Sequence, residues 1–372
     1  MKLLTEVCSI PTAPFAEQYV VRYVERFVAR RPKLRLTRDR AGNLLIELPP
    51  KARRGARSPR WIFAAHMDHP GFVATRMIDR RTVEAAFRGW VQIDYVRGTK
   101  VRFFEADGTQ ATGVVTDATP AEHDRLAVPQ RVTVRLSRVG NVTPGVPGMF
   151  DQGPARVKES KLYSRGIDDQ GGLAAALAML EQLHRNPPAV PIAVLLTRAE
   201  EEGFVGAVAA VVAPELLRKT DRLIAIECSA AQAYAPQGGG VIVRVGDKTS
   251  VFHSGLTYFL TQSAEHLARK DKAFRYQRAL MPGGTCEATV YDAYGYTAAA
   301  VCVALGNYHN MDRAKKRIAP EHIDVNDWKN MVKLFVHVAR TADAYTGDNA
   351  ALKQRVTARY ERLKDLLTSS VA

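Results

Sequence analysis

The sequence predicts an α/β fold in which a central sheet carries helices on both faces and a β-rich unit is inserted into the chain. Two observations predict it. Before residue 70 and again after residue 165, short apolar runs that read as buried strands accompany helical patterns, as in sheets covered on both sides. Between about residues 71 and 165 the character changes to short alternating segments punctuated by Gly, Pro and Asp, which reads as an all-β unit. The expected organisation is a discontinuous α/β domain, residues 1–70 and 162–372, with a β-rich insertion at 71–161.

In chain order, FAEQYVVRYVERFVAR predicts a helix over about 14–30, followed by strands near 33–38 and 43–48. WIFAAH (61–66) is a buried strand. Within the insertion, TKVRFFEA (99–106), ATGVVTDA (111–118) and RVTVRLSRV (131–139) alternate as half-buried strands do. QGGLAAALAMLEQLHR (170–185) is a mostly apolar helix, PIAVLLT (191–197) a strand and VGAVAAVVAPELL (205–217) a helix. LIAIEC (223–228) and GVIVRV (240–245) are strands, with a helix near 255–270, another strand at AAAVCVAL (298–305) and a long helix at 320–345. Finally, Leu352, Val356, Tyr360, Leu363 and Leu367 recur at helical spacing and predict an amphipathic helix over about 348–367.

Composition narrows the function classes. Of 372 residues, 46% are hydrophobic and 24% charged, the balance of a globular protein. No run of ~20 apolar residues could span a bilayer, and the N-terminus lacks the apolar core of a secretion signal. Cys8, Cys228, Cys286 and Cys302 are scattered without C-x-x-C spacing, against a disulfide framework or a cysteine-built zinc site. The expectation is a cytoplasmic protein with no membrane partner. The net charge of +15 raises the question of nucleic acid. Its clusters at 51–60, 313–317 and 351–364 read as a solvated loop and charged faces, with no zinc-finger or RNP pattern, so nucleic acid is not an expected partner.

Chemistry concentrates at strand ends, where open α/β sheets bind ligands. His66 closes one strand with Asp68 two residues on, Glu200, Glu201 and Glu202 follow another, and Glu227 ends a third. Asp168 and Asp169 precede an apolar helix, and His309 follows the last predicted strand. Singly, most have ordinary explanations: surface histidines, helix caps, a solvated acidic turn. Glu227 does not, because a carboxylate at a buried strand end is costly unless paired, protonated or metal-bound. Together they suit a hydrolase site for two divalent cations, which needs a bridging carboxylate, further N/O ligands and one carboxylate outside the ligand set to move a proton.

The segments HMDHPGF, GIDDQGG, AEEEGFVGA, IECS, GGT and NYHNM, in this order, resemble the co-catalytic metallopeptidases of clan MH, and most closely the M42 family of glutamyl and tetrahedral aminopeptidases. The resemblance runs from about residue 60 to 312. It implies a zinc-peptidase-like fold with a central mixed sheet, and an inserted β-rich domain that mediates oligomerisation into dimers or dodecamers. It also implies roles: His66 and His309 as terminal ligands of the two metals, Asp168 as the bridge, Glu201 and Glu227 as the remaining ligands. Glu200 would be the general base and Asp68 would orient His66.

The implied cofactors are two divalent ions, zinc first, with cobalt or manganese also suited to such ligands. The implied activity is hydrolysis of N-terminal residues from short peptides. Four positions depart from the family pattern: Glu227 for Asp, His69 with Pro70 after Asp68, Cys286 for Asp, and NYHNM around His309. Glu227 keeps open a carboxypeptidase or N-acyl amino-acid deacylase using the same site. A non-catalytic basic binding protein is a further alternative, which the intact acidic set speaks against. The excess positive charge must then lie on the outer surface, the insertion or the cleft rim, and on the rim it would steer acidic peptides or free carboxylate ends.

Overall fold

The computed structural model describes residues 1–51, 59–120, 127–347 and 350–369. The strands are β1 Arg35–Arg38, β2 Leu44–Leu48, β3 Trp61–His66, β4 Gly71–Asp79, β5 Thr82–Arg88, β6 Lys100–Phe104, β7 Gln110–Pro120, β8 Pro129–Leu136 and β9 Pro147–Phe150. They continue as β10 Arg156–Lys158, β11 Lys161–Ser164, β12 Ile192–Thr197, β13 Arg222–Ala230, β14 Val241–Gly246, β15 Tyr276–Leu280, β16 Thr297–Gly306, β17 Met311–Asp312, β18 Arg317–Ile318 and β19 Glu321–Asp324. The helices are α1 Lys2–Val7, α2 Gln18–Ala29, α3 Ile93–Val96, α4 Gln170–Leu183, α5 Val205–Val212, α6 Ser254–Lys270, α7 Glu287–Ala293, α8 Val325–Thr341 and α9 Ala350–Ser369.

Eleven strands form one mixed sheet in the order β1-β2-β12-β3-β13-β16-β19-β11-β10, with β14 and β15 branching from β16. Its centre, β12-β3-β13-β16, is parallel throughout. Parallel strands must be covered on both faces, and every residue of β3 and β12 is buried. One face packs on α4 and α8, where Phe63 meets Phe335 at 5.0 Å between ring centroids; the other packs on α5 and α7. The shared direction brings four carboxyl ends to one edge.

The segment 71–150 holds a closed barrel, β4-β5-β8-β7-β6-β9. Alternation explains it: β5 buries every second residue, and Phe72, Phe87 and Phe150 cluster inside with centroids 5.1 and 5.2 Å from Phe72. One short helix, α3, interrupts the otherwise β unit.

Three boundaries differ from the sequence reading. The first long helix begins at Gln18 rather than 14, because Pro14 and the left-handed Phe15 (φ 66°) hold the preceding chain in a turn. The helix expected over 320–345 is a strand followed by a helix. Pro320 immediately precedes β19, Ile323 pairs with Leu305, and the Asp324 side chain caps α8 by accepting from the Asn326 and Asp327 amides. The helix expected at 205–217 stops at Val212, one residue before Ala213-Pro214.

Most of the basic stretch 51–60, and His123, lie outside the described residues. The C-terminal helix α9 is present, and every described side chain on it is exposed. Among the described residues, no helix is long and apolar enough to cross a membrane.

Candidate active site

The carboxyl edge of the parallel strands gathers all the residues proposed as ligands or base. His66 is the last residue of β3, Glu227 sits near the end of β13, and Asp168 lies just ahead of α4. Glu200 and Glu201 form a single 3-10 turn after β12, and His309 stands in another after β16. Asp168 lies between the two histidines. Its Oδ1 is 3.7 Å from His66 Nε2, and its Oδ2 is 3.7 Å from His309 Nε2. Glu201 Oε2 is 3.3 Å from His309 Nε2, and Glu200 Oε2 is 3.9 Å from His66 Nε2.

The turn holding the glutamates explains the motif EEEGFVGA. Ala199 and Phe204 flank it in left-handed conformation (φ 48° and 63°), as do Asn307 and His309 (54° and 55°) in the second loop. Such backbone persists only where surrounding contacts over-determine it, and it gathers at functional sites. Gly203 adopts φ 90°, and a Cβ on Gly206 would lie 2.3 Å from the Arg198 carbonyl. One glycine turns the chain and the other lets α5 press against it.

The imidazoles are oriented from behind. His66 Nδ1 lies 3.2 Å from the Asp68 carbonyl, and His309 Nδ1 lies 2.6 Å from the Trp90 carbonyl. A carbonyl only accepts, so each Nδ1 carries the proton and each Nε2 lone pair faces the carboxylates. Trp90 belongs to the loop after β5, so the β-rich unit reaches into the site.

The Asp68 side chain stands 3.5 Å from His66 Nδ1, but its two oxygens accept from the Glu200 and Glu201 amides at 3.0 and 3.1 Å. Its carboxylate therefore fixes the glutamate turn, while its carbonyl orients the histidine.

Several residues escaped the sequence reading. Glu321, fully buried, accepts from the amides of Ile167, Asp168 and His309 at 2.7, 3.2 and 2.8 Å. His69 spans the Asp168 carbonyl and Asn310 Oδ1 at 2.6 and 3.1 Å. Glu17 holds the Ala199 amide and Arg198. An available signal for Glu321 was a lone acid directly after Pro320 beside apolar neighbours; reading it into a helix concealed it.

Other histidines serve the structure: His253 caps α6, His322 bonds Gln237, and His184 bonds the Glu181 carbonyl. Cys228 and Cys286 are buried.

The donor set fits divalent cations. Asp168 Oδ1, Glu201 Oε1, Glu227 Oε1 and His309 Nε2 are buried without a hydrogen-bond partner. Three sets of ligating atoms, His66–Asp168–Glu227, Asp168–Glu201–His309 and His66–Glu200–Glu201, each fall within 4.8 Å. Native interiors rarely leave such atoms unmet, and a cation answers all of them.

Electrostatics agree. Burial, reinforced by Asp168, pushes Glu227 up to about 8, and burial raises the Glu200 carboxyl well above its ordinary value despite His66. For His309 burial acts downward, yet Glu201 and Asp168 outweigh it and lift it to about 9. Glu287, on α7 behind the cluster, is pushed up to about 7 by burial.

The pattern of the M42 glutamyl aminopeptidase family matches residues 42–334. The chain belongs to that family. The M42 fold is equally evident in solved structures. The TET1 peptidase of Pyrococcus horikoshii, reported to assemble into a tetrahedron or a large octahedral shell, has TM-score 0.72 and 20% identity over 91% of this chain and 98% of its own. An aminopeptidase of the archaeon Desulfurococcus kamchatkensis has TM-score 0.73 and 20% identity, covering 91% and 94%. A Thermotoga maritima structure described as an endoglucanase has TM-score 0.65 and 18% identity, covering 91% and 97%. At these identities the likeness is one of fold. No protein of curated function matches the sequence. Family and fold together support a hydrolase of the aminopeptidase kind.

Proposed function

We propose that this M42 chain removes N-terminal residues from short peptides at a site for two divalent cations, zinc before cobalt or manganese. The observation carrying this reading is Asp168 set between His66 and His309, one carboxylate oxygen facing each ring at 3.7 Å. His66, Asp168 and Glu227 would hold one cation; Asp168, Glu201 and His309 would hold the other. When bound, such cations supply a Lewis acid for the scissile carbonyl and acidify water near neutral pH.

The remaining chemistry belongs to the chain. Glu200 lies outside the two sets that share Asp168, and burial raises its affinity for a proton, so its ionised carboxylate is a strengthened base. It takes the proton of the attacking water and returns it to the leaving amine. Asp68 is a positioning residue, tying Glu200 and Glu201 by their amides. The barrel unit is the proposed contact between copies in a homo-oligomer.

The test is hydrolysis of matched peptides with free or acetylated N-termini, before and after chelation and re-addition of zinc, cobalt or manganese. Cleavage of the free form alone, lost on chelation and restored by a cation, is the expected result. Preference for the acetylated form transfers the site to a deacylase or carboxypeptidase. Undiminished turnover after exhaustive chelation overturns the cation site.

A further inference from the structure

Beyond Glu227 the site opens into a small, partly open cleft lined by Ser229, Arg244, Gly284, Thr285 and Tyr308. Arg244 rises from the middle of β14 and is 2% exposed. Among the described residues its side chain makes one hydrogen bond, Nη1 to Ser229 Oγ at 3.2 Å, and its buried Nε has no acceptor. A guanidinium carries five N–H donors, and burying them unmet is costly.

The acids around it are committed elsewhere. Asp247 accepts from the Thr249, Ser250 and Cys286 amides and the Thr289 hydroxyl. Glu227 belongs to the cation set with His66 and Asp168. The other facing groups are Cys286 and Cys302, thiols that burial keeps protonated, Cys302 up to about 11. A fixed positive charge thus lines a cleft beside the reacting centre with donors to spare.

We infer that this cleft is a subsite for a carboxylate of the substrate, bound by the Arg244 guanidinium. The inference rests on the peptidase reading and adds to it a specificity-determining residue. The carboxylate has two sources, an acidic side chain on the first residue or the free C-terminus of a dipeptide. Planar, charge-assisted recognition by arginine is the chemistry common to both.

Two substrate pairs separate the sources: glutamyl against glutaminyl 4-nitroanilide, and Leu-Ala against Leu-Ala amide. The cation-loaded enzyme should prefer the carboxylate member of one pair by about tenfold or more in kcat/KM, and that pair identifies the source. In Arg244→Met the ratio should fall to within about twofold, while Arg244→Lys retains part of it. Cys286→Asp, which places a carboxylate opposite the guanidinium, should lower the ratio too and covers the case of a misfolded Arg244→Met.

Binding of glutarate, measured by calorimetry, should weaken about tenfold in Arg244→Met, a readout independent of turnover. No preference in either pair, a ratio that survives Arg244→Met, or an equal fall for all four substrates overturns the subsite. Equal falls would mean that Arg244 only offsets Glu227. Absence of turnover on every substrate with glutarate binding still dependent on Arg244 removes the aminopeptidase reading and leaves the subsite standing.

Discussion

The two sides of the acidic cluster are built on opposite principles. Behind it, Asp68, Glu321 and Glu17 are buried, and each accepts two or more backbone amides. In front, Asp168, Glu201 and Glu227 are also buried but keep oxygen atoms with no partner. The rear carboxylates direct their lone pairs to the fold, and the front ones leave lone pairs that a cation would meet. Burial alone therefore does not mark a candidate ligand; unmet lone pairs that converge on one another and on a histidine do.

The largest expected effect separates base from ligands within the front side. Glu200→Gln should lower kcat by roughly 10²–10⁴-fold while elemental analysis finds cation content near that of the unaltered protein. Turnover close to normal would remove the assigned role.

Next comes the rear. Glu321→Ala would strand the amides of Ile167, Asp168 and His309 without an acceptor, so a loss of about 3 kcal/mol or more is expected in urea unfolding. Cation affinity should fall about 10–100-fold with it, since Asp168 and His309 lose their support.

The matching change in front should behave oppositely. In the chelated protein, Glu227→Gln replaces a carboxyl that burial already pushes up to about 8 and whose Oε1 has no partner, so stability should change by less than about 1 kcal/mol or rise. Its damage should surface only as lost cation occupancy. Equal destabilisation by the Glu321 and Glu227 changes would erase the contrast between the two sides.

The smallest effect comes from Asp327 on α8, which belongs to neither side and whose oxygens accept from the Gly238 and Gly240 amides at 2.7 Å each. Burial raises it to about 6, although both amides oppose this. Its proton is held more tightly in the folded chain than in the unfolded one. The resulting stabilisation is full below the ordinary carboxyl range and is lost as pH rises through about 6. Unfolding midpoints followed from pH 4 to 7 should decline more steeply for the natural protein than for Asp327→Asn.

The contrast also explains what the sequence revealed. Front residues lie at or near the ends of apolar strands, so Glu227 stands out by itself, and His66 and Glu201 stand out because they recur with it at neighbouring strand ends. Rear residues answer amides more than 100 positions away, as Asp68 does for Glu200 and Glu321 for Ile167, and no local pattern records such a partner. Asp68 was visible only as a companion of His66; its hold on the glutamate turn is a tertiary fact. The α/β alternation and the β-rich insertion were legible for the same local reason. The helix expected at 320–345 is present from Val325, and its first residues are strand because pairing of Ile323 with Leu305 overrides local preference.

The long reach of the rear braces has a consequence for how the protein is made. Glu321 must meet residues 154 and 153 positions earlier before Asp168 is set, and Trp90 must meet His309 across 219 positions. Closures of that span come late in folding, because their loop entropy is recovered only once the sheet exists. A nascent chain that has not yet released residue 321 lacks the brace for both Asp168 and His309. The acidic cluster is thus left unassembled until residue 321 has left the ribosome, so a chain interrupted before that point carries no finished site.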